Sequence, residues 1–593
     1  MEFIKKIVVR FFMMIGILTV IIMISSMVIL QSILSMKKTI DDDTLLHLNI
    51  SSIRGDVTTD SGFFMLEGLF GRSVSLIDTI QLINNAANDD KIVGIFADIS
   101  SVNLSFSQVE ELRNAVDNFR KSGKPAYAWS DSFGEIENGT KHYYLASIFD
   151  KIYTQPSGML GFSGLVGGSV FFKETLEKLD IEPIGSNREE YKTYWNMFTE
   201  NKFTEAHRES TRSLIDSIFK KIADDISLSR DIPVEKIYQI ADGMPMTSEE
   251  TMNNGFIDGI EYREKVLELI KEKTGYKKRT TISYYRDVVA SDSKKSDAKI
   301  ALIELPGTIH RGSSDIGPSG YHQSSGSATI SGMIRRAVKD ENVKGILLRV
   351  NSPGGSVIAS ETIWHEIREI VKENKKPIVV SMGSVAASGG YYVSMPAEKI
   401  FANHTTITGS IGVVLGKLYM EQFYKKLGIT FDHVSTGKNA MIFSTNTRLT
   451  DEQMNYVEKS LDNIYGSFVS RAAEGRKMEY EEMEKHAKGR VWTGIQAKER
   501  NLVDETGGFK EALEYIKSRV PDVDEFTLVK YPEPERVISM LLGRDEVTYR
   551  QPGFFSRMIE SMNRLANFYF YIKRISSNND ELFKLEESGV IVR

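Results

Sequence analysis

The chain has no cysteine. Disulfides, thiol catalysis and cysteine-based metal sites are therefore excluded, and the composition is compatible with an oxidising compartment. Histidine is scarce, with nine among 593 residues. None has the surroundings of a catalytic triad: His310 and His404 lie near strand-like segments, and His365 falls in a helical pattern. An excess of one charge is also missing. The net charge is −6 and no long basic tract occurs, so no nucleic-acid footprint is present. A second strongly hydrophobic run as long as the one at the N-terminus is missing too. A chain of this length exceeds one ordinary core, and at least two domains are expected.

The N-terminus reads "MEFIKKIVVR", with Lys5, Lys6 and Arg10, followed by 20 uncharged residues from Phe11 to Leu30. That run is long enough to cross a bilayer as a helix. A cleaved signal peptide is the rival reading, but its apolar region is normally shorter and ends in an A-x-A-like site, which is not found here. Residues 11–31 are therefore read as an uncleaved signal anchor, with 1–10 cytoplasmic. Lys37 and Lys38 follow the span, so the charge bias for this orientation is weak. The body would then lie outside the cytoplasm.

The chain also contains itself twice. "KIVGIFADIS" (91–100) resembles "NVKGILLRVN" (342–351), and "GKPAYAWSDS" (123–132) resembles "KKPIVVSMGS" (375–384). "FDKIYTQPSGMLGFSGL" (149–165) pairs with "AEKIFANHTTITGSIGV" (397–413), and "NNGFIDG" (253–259) with "ERNLVDE" (499–505). Gly94 thus matches Gly345, Pro125 matches Pro377, Lys151 matches Lys399 and Asp258 matches Asp504, a separation of 246 to 252 positions throughout. A nearly constant offset over four blocks predicts a duplicated domain, 45–275 and 299–520. Within each copy, short β-rich apolar runs alternate with helical patterns, which predicts α/β layers with parallel strands. The polar stretch between the copies, 276–298, reads as a linker. The tail 521–593 holds the aromatic, amphipathic "YRQPGFFSRMIESMNRLANFYFYIKRI". It is expected to pack on the body or a neighbouring subunit; contact with a membrane surface is the sharper alternative.

Two stretches of the second copy suggest chemistry. In "LLRVNSPGGSV", Leu347–Val357, a strand runs into a Pro-Gly-Gly turn. Gly354 and Gly355 let backbone N–H groups approach a ligand, as an oxyanion hole requires. In "SVAASGG", Ser384–Gly390, Ser388 follows the next strand, with Gly389 offering another N–H. Small residues there also suit a tight corner, but the pair of features on successive strand ends is more specific than either. A serine nucleophile needs a base. With no suitable histidine, a buried lysine whose pKa falls by desolvation can serve. The first copy lacks both features: "IENGT" (136–140) stands opposite Ser388 and Asn103–Leu104 opposite the glycines. It does contain "REEYKTYW", with Lys192 between Tyr191 and Thr193, where the second copy has Ala440. This complementarity suggests a composite site. Lys438, two positions away from Ala440 and in the same copy as the serine, is the competitor.

With "NSPGGSV", "VAASGGYY", "TGSIG" and "VWTGIQAKERNLVD" in place, the chain resembles the long form of the signal peptide peptidase A family, membrane-anchored Ser–Lys peptidases. The likeness covers nearly the whole chain. It implies two crotonase-like (Clp-protease-like) α/β domains behind the anchor. It implies Ser388 as nucleophile, Lys192 as general base and Ser410 as the serine that holds the lysine. The family's "YKS" reads "YKT" here, a mild departure. Ser410 has Phe162 as its first-copy counterpart. The implied oxyanion donors are the N–H groups of Gly389 and of the Gly354–Gly355 turn. Short-form relatives take their lysine from the region of Lys438. The resemblance further implies apolar peptide substrates, namely spent signal peptides, and a homo-oligomer, expected as a tetramer. It places the body on the outer face of the cytoplasmic (inner) membrane and needs no metal or cofactor. The rival readings are a crotonase-like acyl-CoA enzyme, since one fold hosts many reactions, and a non-catalytic membrane scaffold.

Overall fold

The structure is a computed structural model. It describes residues 38–531 apart from 54, 57–73, 136, 293–295, 315–323, 521–522 and 524, together with the isolated positions 16, 19 and 25. The predicted cytoplasmic stretch 1–10, the anchor over 11–31 save those three positions, and the extension beyond Tyr531 lie outside the described residues. Among the described residues no helix is long and apolar enough to cross a membrane.

The first copy contains β1 Thr44–Asn49, β2 Ile92–Asp98, β3 Ala126–Ser130, β4 Lys151–Thr154, β5 Met159–Leu160, β6 Glu182–Asn187, β7 Met246–Thr247, β8 Gly259–Ile260 and β9 Lys278–Thr281. Six of these form one parallel sheet in the order β8-β4-β3-β2-β1-β9. The second copy contains β10 Lys299–His310, β11 Ser324–Gly326, β12 Val343–Gly355, β13 Ile378–Ala387, β14 Lys399–Ala402, β15 Ile407–Gly409, β16 Val414–Tyr419, β17 Val491–Thr493, β18 Glu505–Thr506 and β19 Thr527–Tyr531. Its parallel core runs β18-β14-β13-β12-β10-β19, the same order element for element. The duplication seen as a sequence offset is therefore a duplication of topology.

The strands form where the sequence is apolar on both faces. Ile346, Leu347, Leu348 and Val350 of β12 are all fully buried, as expected for a parallel sheet covered on both sides by helices. The crossover helix Val357–Lys372 starts at Ser356, whose hydroxyl accepts the Ala359 N–H, and buries Ala359, Ile363, Ile367 and Ile370 at helical spacing.

Two expectations need correction. The stretch 276–298 is not simply a linker. Lys278–Thr281 pairs with β1, and the helix Ile282–Asp292 buries Ile282, Tyr285 and Val288 against the first core. Its polar residues occupy the other helix face, which gave the stretch the look of a connection. The region after 520 likewise begins with sheet: β19 pairs with β10, in the place that β9 takes beside β1.

Candidate active site

Ser388 stands at the corner between β13 and the helix Gly389–Ser394, as its N-cap. Its backbone is at φ 52, ψ −116, a conformation that a residue with a Cβ rarely adopts and that costs about 1–3 kcal/mol. The corner is held from both sides. The Ser388 N–H donates to Gly409 O at 2.8 Å, and its carbonyl accepts the Tyr392 N–H at 2.9 Å. The small neighbours are required by close approach. A Cβ on Gly389 would lie 2.5 Å from Ser360 Oγ, and one on Gly354 would lie 2.8 Å from Ser388 Cβ. Gly389 is the first residue of its helix, so its N–H has no partner within that helix. Gly354 and Gly355 both have positive φ, 109 and 149, and Gly354 packs directly on the serine. The Gly354 N–H donates to Ser352 Oγ at 3.1 Å.

Lys192 comes to this corner from the first copy. β6 pairs antiparallel with β16 of the second copy, from Asn187 against Val414 to Glu182 against Tyr419. Beyond β6, the Arg188 N–H donates to Val413 O at 2.9 Å and the Tyr191 N–H to Lys488 O at 3.2 Å. The chain then turns Lys192 inward. Its Nζ lies 3.1 Å from Ser388 Oγ, 3.0 Å from Ser410 Oγ and 3.0 Å from Ser410 O. The side chain is buried, and desolvation lowers its pKa from 10.5 to about 8. Ser410 is itself at positive φ, 51. Its N–H donates to Arg490 O at 2.7 Å and its hydroxyl to Gly489 O at 3.2 Å.

These contacts dictate the protons. Ser410 O can only accept, and Ser410 Oγ has spent its hydrogen on Gly489. Both therefore take N–H bonds from Lys192. A neutral amine has two hydrogens and one lone pair, and the third neighbour is the Ser388 hydroxyl. In the neutral state the lone pair faces Ser388 Oγ–H. That is the geometry of a base beside a nucleophile.

Lys438 is not part of this cluster. It is exposed and its Nζ pairs with Glu452 at 2.8 and 2.9 Å. His404 is bound to Glu110 and His310 to Ser324. In the first copy, Gly139 caps the helix Thr140–Ala146 where Ser388 caps its equivalent. Phe162, opposite Ser410, is buried among Tyr143, Phe219 and Phe256. Rings thus fill the space that holds polar groups in the second copy. Sequence reasoning missed two residues that wall the lysine. A Cβ on Gly489, at φ 77, would lie 2.5 Å from the Lys192 backbone nitrogen, and one on Gly412 would lie 3.2 Å from Lys192 Cδ. Gly412 ends the quoted "TGSIG"; Gly489 precedes "RVWTG", and no local signal marks either as a lysine contact.

Residues 118–277 and 370–521 match Peptidase family S49, one region in each copy. The chain belongs to peptidase family S49. It is 30% identical over 509 residues to "Serine protease SPPA, chloroplastic" of Arabidopsis thaliana, covering 83% of this chain and 72% of that one. It is 30% identical over 501 residues to "Protease 4" of Salmonella typhi, covering 82% and 78%. A shorter relative, "Putative signal peptide peptidase SppA" of Enterococcus faecium, is 35% identical over 198 residues, 33% of this chain and 57% of that one. As an S49 member the chain is a serine hydrolase acting as a peptidase. The acyl-CoA and scaffold readings give way to that assignment.

Proposed function

We propose that this S49 peptidase is a membrane-anchored endopeptidase that degrades spent signal peptides with a Ser388–Lys192 dyad formed within one chain. The observation that carries the reading is the 3.1 Å approach of Lys192 Nζ to Ser388 Oγ, with both other lysine contacts made to Ser410. Neutral Lys192 takes the Ser388 proton as Oγ attacks a peptide carbonyl. The Gly389 N–H, with Gly355 N beside it, faces the developing oxyanion, while the Gly354 N–H is taken by Ser352 Oγ. The lysine ammonium then protonates the leaving amine, and the same lysine activates the water that hydrolyses the acyl-enzyme. No step needs a metal or cofactor.

The printed name of the Enterococcus relative supports the substrate class. The uncharged run 11–31 supports an anchor in the cytoplasmic membrane with the body outside. Each copy is read as a crotonase-like domain, and the whole as a homo-oligomer, a tetramer. Exposed apolar side chains on the segments flanking β6 and β16, including Val170, Tyr194, Phe431 and Phe443, support a surface for apolar peptides and for neighbouring subunits.

The deciding experiment compares peptidase activity and serine-directed acyl-probe labelling in wild type, Ser388→Ala, Lys192→Ala and Lys438→Ala, each checked for folding. Loss in the first two variants with retention in the third is expected. An active Lys192→Ala with an inactive Lys438→Ala would overturn the composite site.

A further inference from the structure

Ser410 fixes the tip of Lys192, but the stem needs a separate hold. Lys192 sits in an irregular segment, between β6 and the short 3-10 turn Thr193–Trp195. Arg490 lies where that segment meets the second copy. Its carbonyl accepts the Ser410 N–H at 2.7 Å. Its guanidinium lies over the ring of Tyr191, the neighbour of Lys192, at 4.8 Å, and over Trp492 of β17 at 4.4 Å. The same guanidinium binds both carboxylate oxygens of Glu209, at 2.6 and 2.7 Å, on the first-copy helix Glu205–Arg230. Arg490 is largely buried, at 14% exposure.

We propose that Arg490 is a positioning residue for the peptidase reaction: it clamps Tyr191 between the two copies and so holds Lys192 Nζ against Ser388. A planar guanidinium can present its faces to two rings while its edge forks onto a carboxylate. Lysine cannot do both, because an ammonium is a point charge. The backbone of the same residue fixes Ser410, so one residue secures the stem and the tip of the lysine. Loosening the clamp lets the amine drift and admits water beside it. Misplacement of about 1 Å in a reacting group can lower a rate on the order of a hundredfold. The proposal rests on the dyad reading above.

The test uses the full chain and the variants Arg490→Ala, Arg490→Lys, Tyr191→Leu and Lys192→Ala, with kcat, KM, the pH profile of kcat/KM and the thermal midpoint measured for each. For Arg490→Ala and Tyr191→Leu, kcat per probe-labelled Ser388 falls about tenfold to a hundredfold while KM stays within about twofold. The alkaline midpoint moves up from near 8 towards the ordinary lysine value of 10.5. Arg490→Lys, which keeps the charge, rescues less than half of the loss. Should Arg490→Ala fail to fold, Arg490→Lys and Tyr191→Leu carry the decision. Wild-type kcat and pH midpoint in the folded variants overturn the proposal, even if their thermal midpoints drop, since a purely structural role predicts that pattern. An active Lys192→Ala sinks the dyad reading itself. An inactive Lys192→Ala beside fully active Arg490 and Tyr191 variants sinks only the clamp.

Discussion

A lysine that accepts a proton near neutral pH must lose its water. Lys192, the proposed base, is desolvated by burial alone, without a neighbouring cation, and its pKa drops to about 8. The rate should therefore climb through about pH 8 and level off above it, as the neutral amine becomes the majority form. A profile flat from pH 6 to 10 would exclude Lys192 as the base. The same shift has a stability consequence. The folded pKa lies below the ordinary 10.5, so between about 8 and 10.5 the unfolded chain binds the extra proton and stability rises with pH. Below about 8 the buried ammonium is charged in both states and its desolvation cost is felt in full. Lys192→Met should accordingly be more stable than wild type at pH 7, by roughly 1–3 kcal/mol, with the gap closing towards pH 10.5. Chemical denaturation at several pH values reads this directly.

Among elements, the short β6–β16 ribbon decides whether the site exists. It is the pairing that carries the first copy's lysine into the second copy. Its strands cross at two facing glycines, Gly185 and Gly416. A Cβ on Gly185 would lie 2.6 Å from Gly416 Cα, and one on Gly416 would lie 2.5 Å from the Trp195 ring. Trp195 thus lies on the ribbon three residues after Lys192. Gly416→Val should force the ring or the strand aside, at a cost of about 1–3 kcal/mol, and should reduce turnover more than stability. Wild-type turnover in a folded Gly416→Val would show that the ribbon does not place the lysine. A second element, the helix Phe106–Arg120, drives its N-terminal end onto the second copy. The hydroxyls of Ser105 and Ser384 share a 2.6 Å hydrogen bond, and Ser107 Oγ donates to Gly383 O at 3.0 Å.

Across the whole molecule, the two copies are joined through buried charge. Arg349 of β12 is fully buried. Its Nε donates to Asp56 at 3.1 Å, its Nη2 to Glu111 at 2.7 Å and its Nη1 to Ser381 Oγ at 2.8 Å. Burial pushes the Glu111 carboxyl above its ordinary pKa despite the pull of Arg349. Asn351, at the approach to the glycine turn, donates to the same Asp56 at 3.1 Å. Removing the arginine alone strands two carboxylates inside the protein. Arg349→Met should cost about 3–5 kcal/mol, whereas the triple variant with Asp56→Leu and Glu111→Leu should recover most of it. Urea unfolding distinguishes the two. A single variant no less stable than the triple would mean that the cluster is not the joint described.

Much of this was legible along the chain, and the division follows from the range of the forces involved. Strand and helix alternation, the duplication and the serine corner depend on local apolar pattern and on glycines at fixed spacing, so they can be read one segment at a time. The complementarity of Ser388 and Lys192 was legible for the same reason, as a difference between aligned copies. The strand and helix over Lys278–Asp292 were misread because pairing with β1 lies over 200 positions away in sequence and only folding reveals which helix face is buried. Lys192 was preferred to Lys438 from the aligned copies and the family resemblance, but which of the two leaves water is decided by tertiary structure. Both are lysines amid plausible neighbours, and only the pairing of β6 with β16 takes one out of water while the other stays exposed beside Glu452. Gly412, Gly489 and Arg490 were beyond sequence for the same physical reason: a close approach or a stacked ring is a contact across space, and neither partner carries a mark of the other.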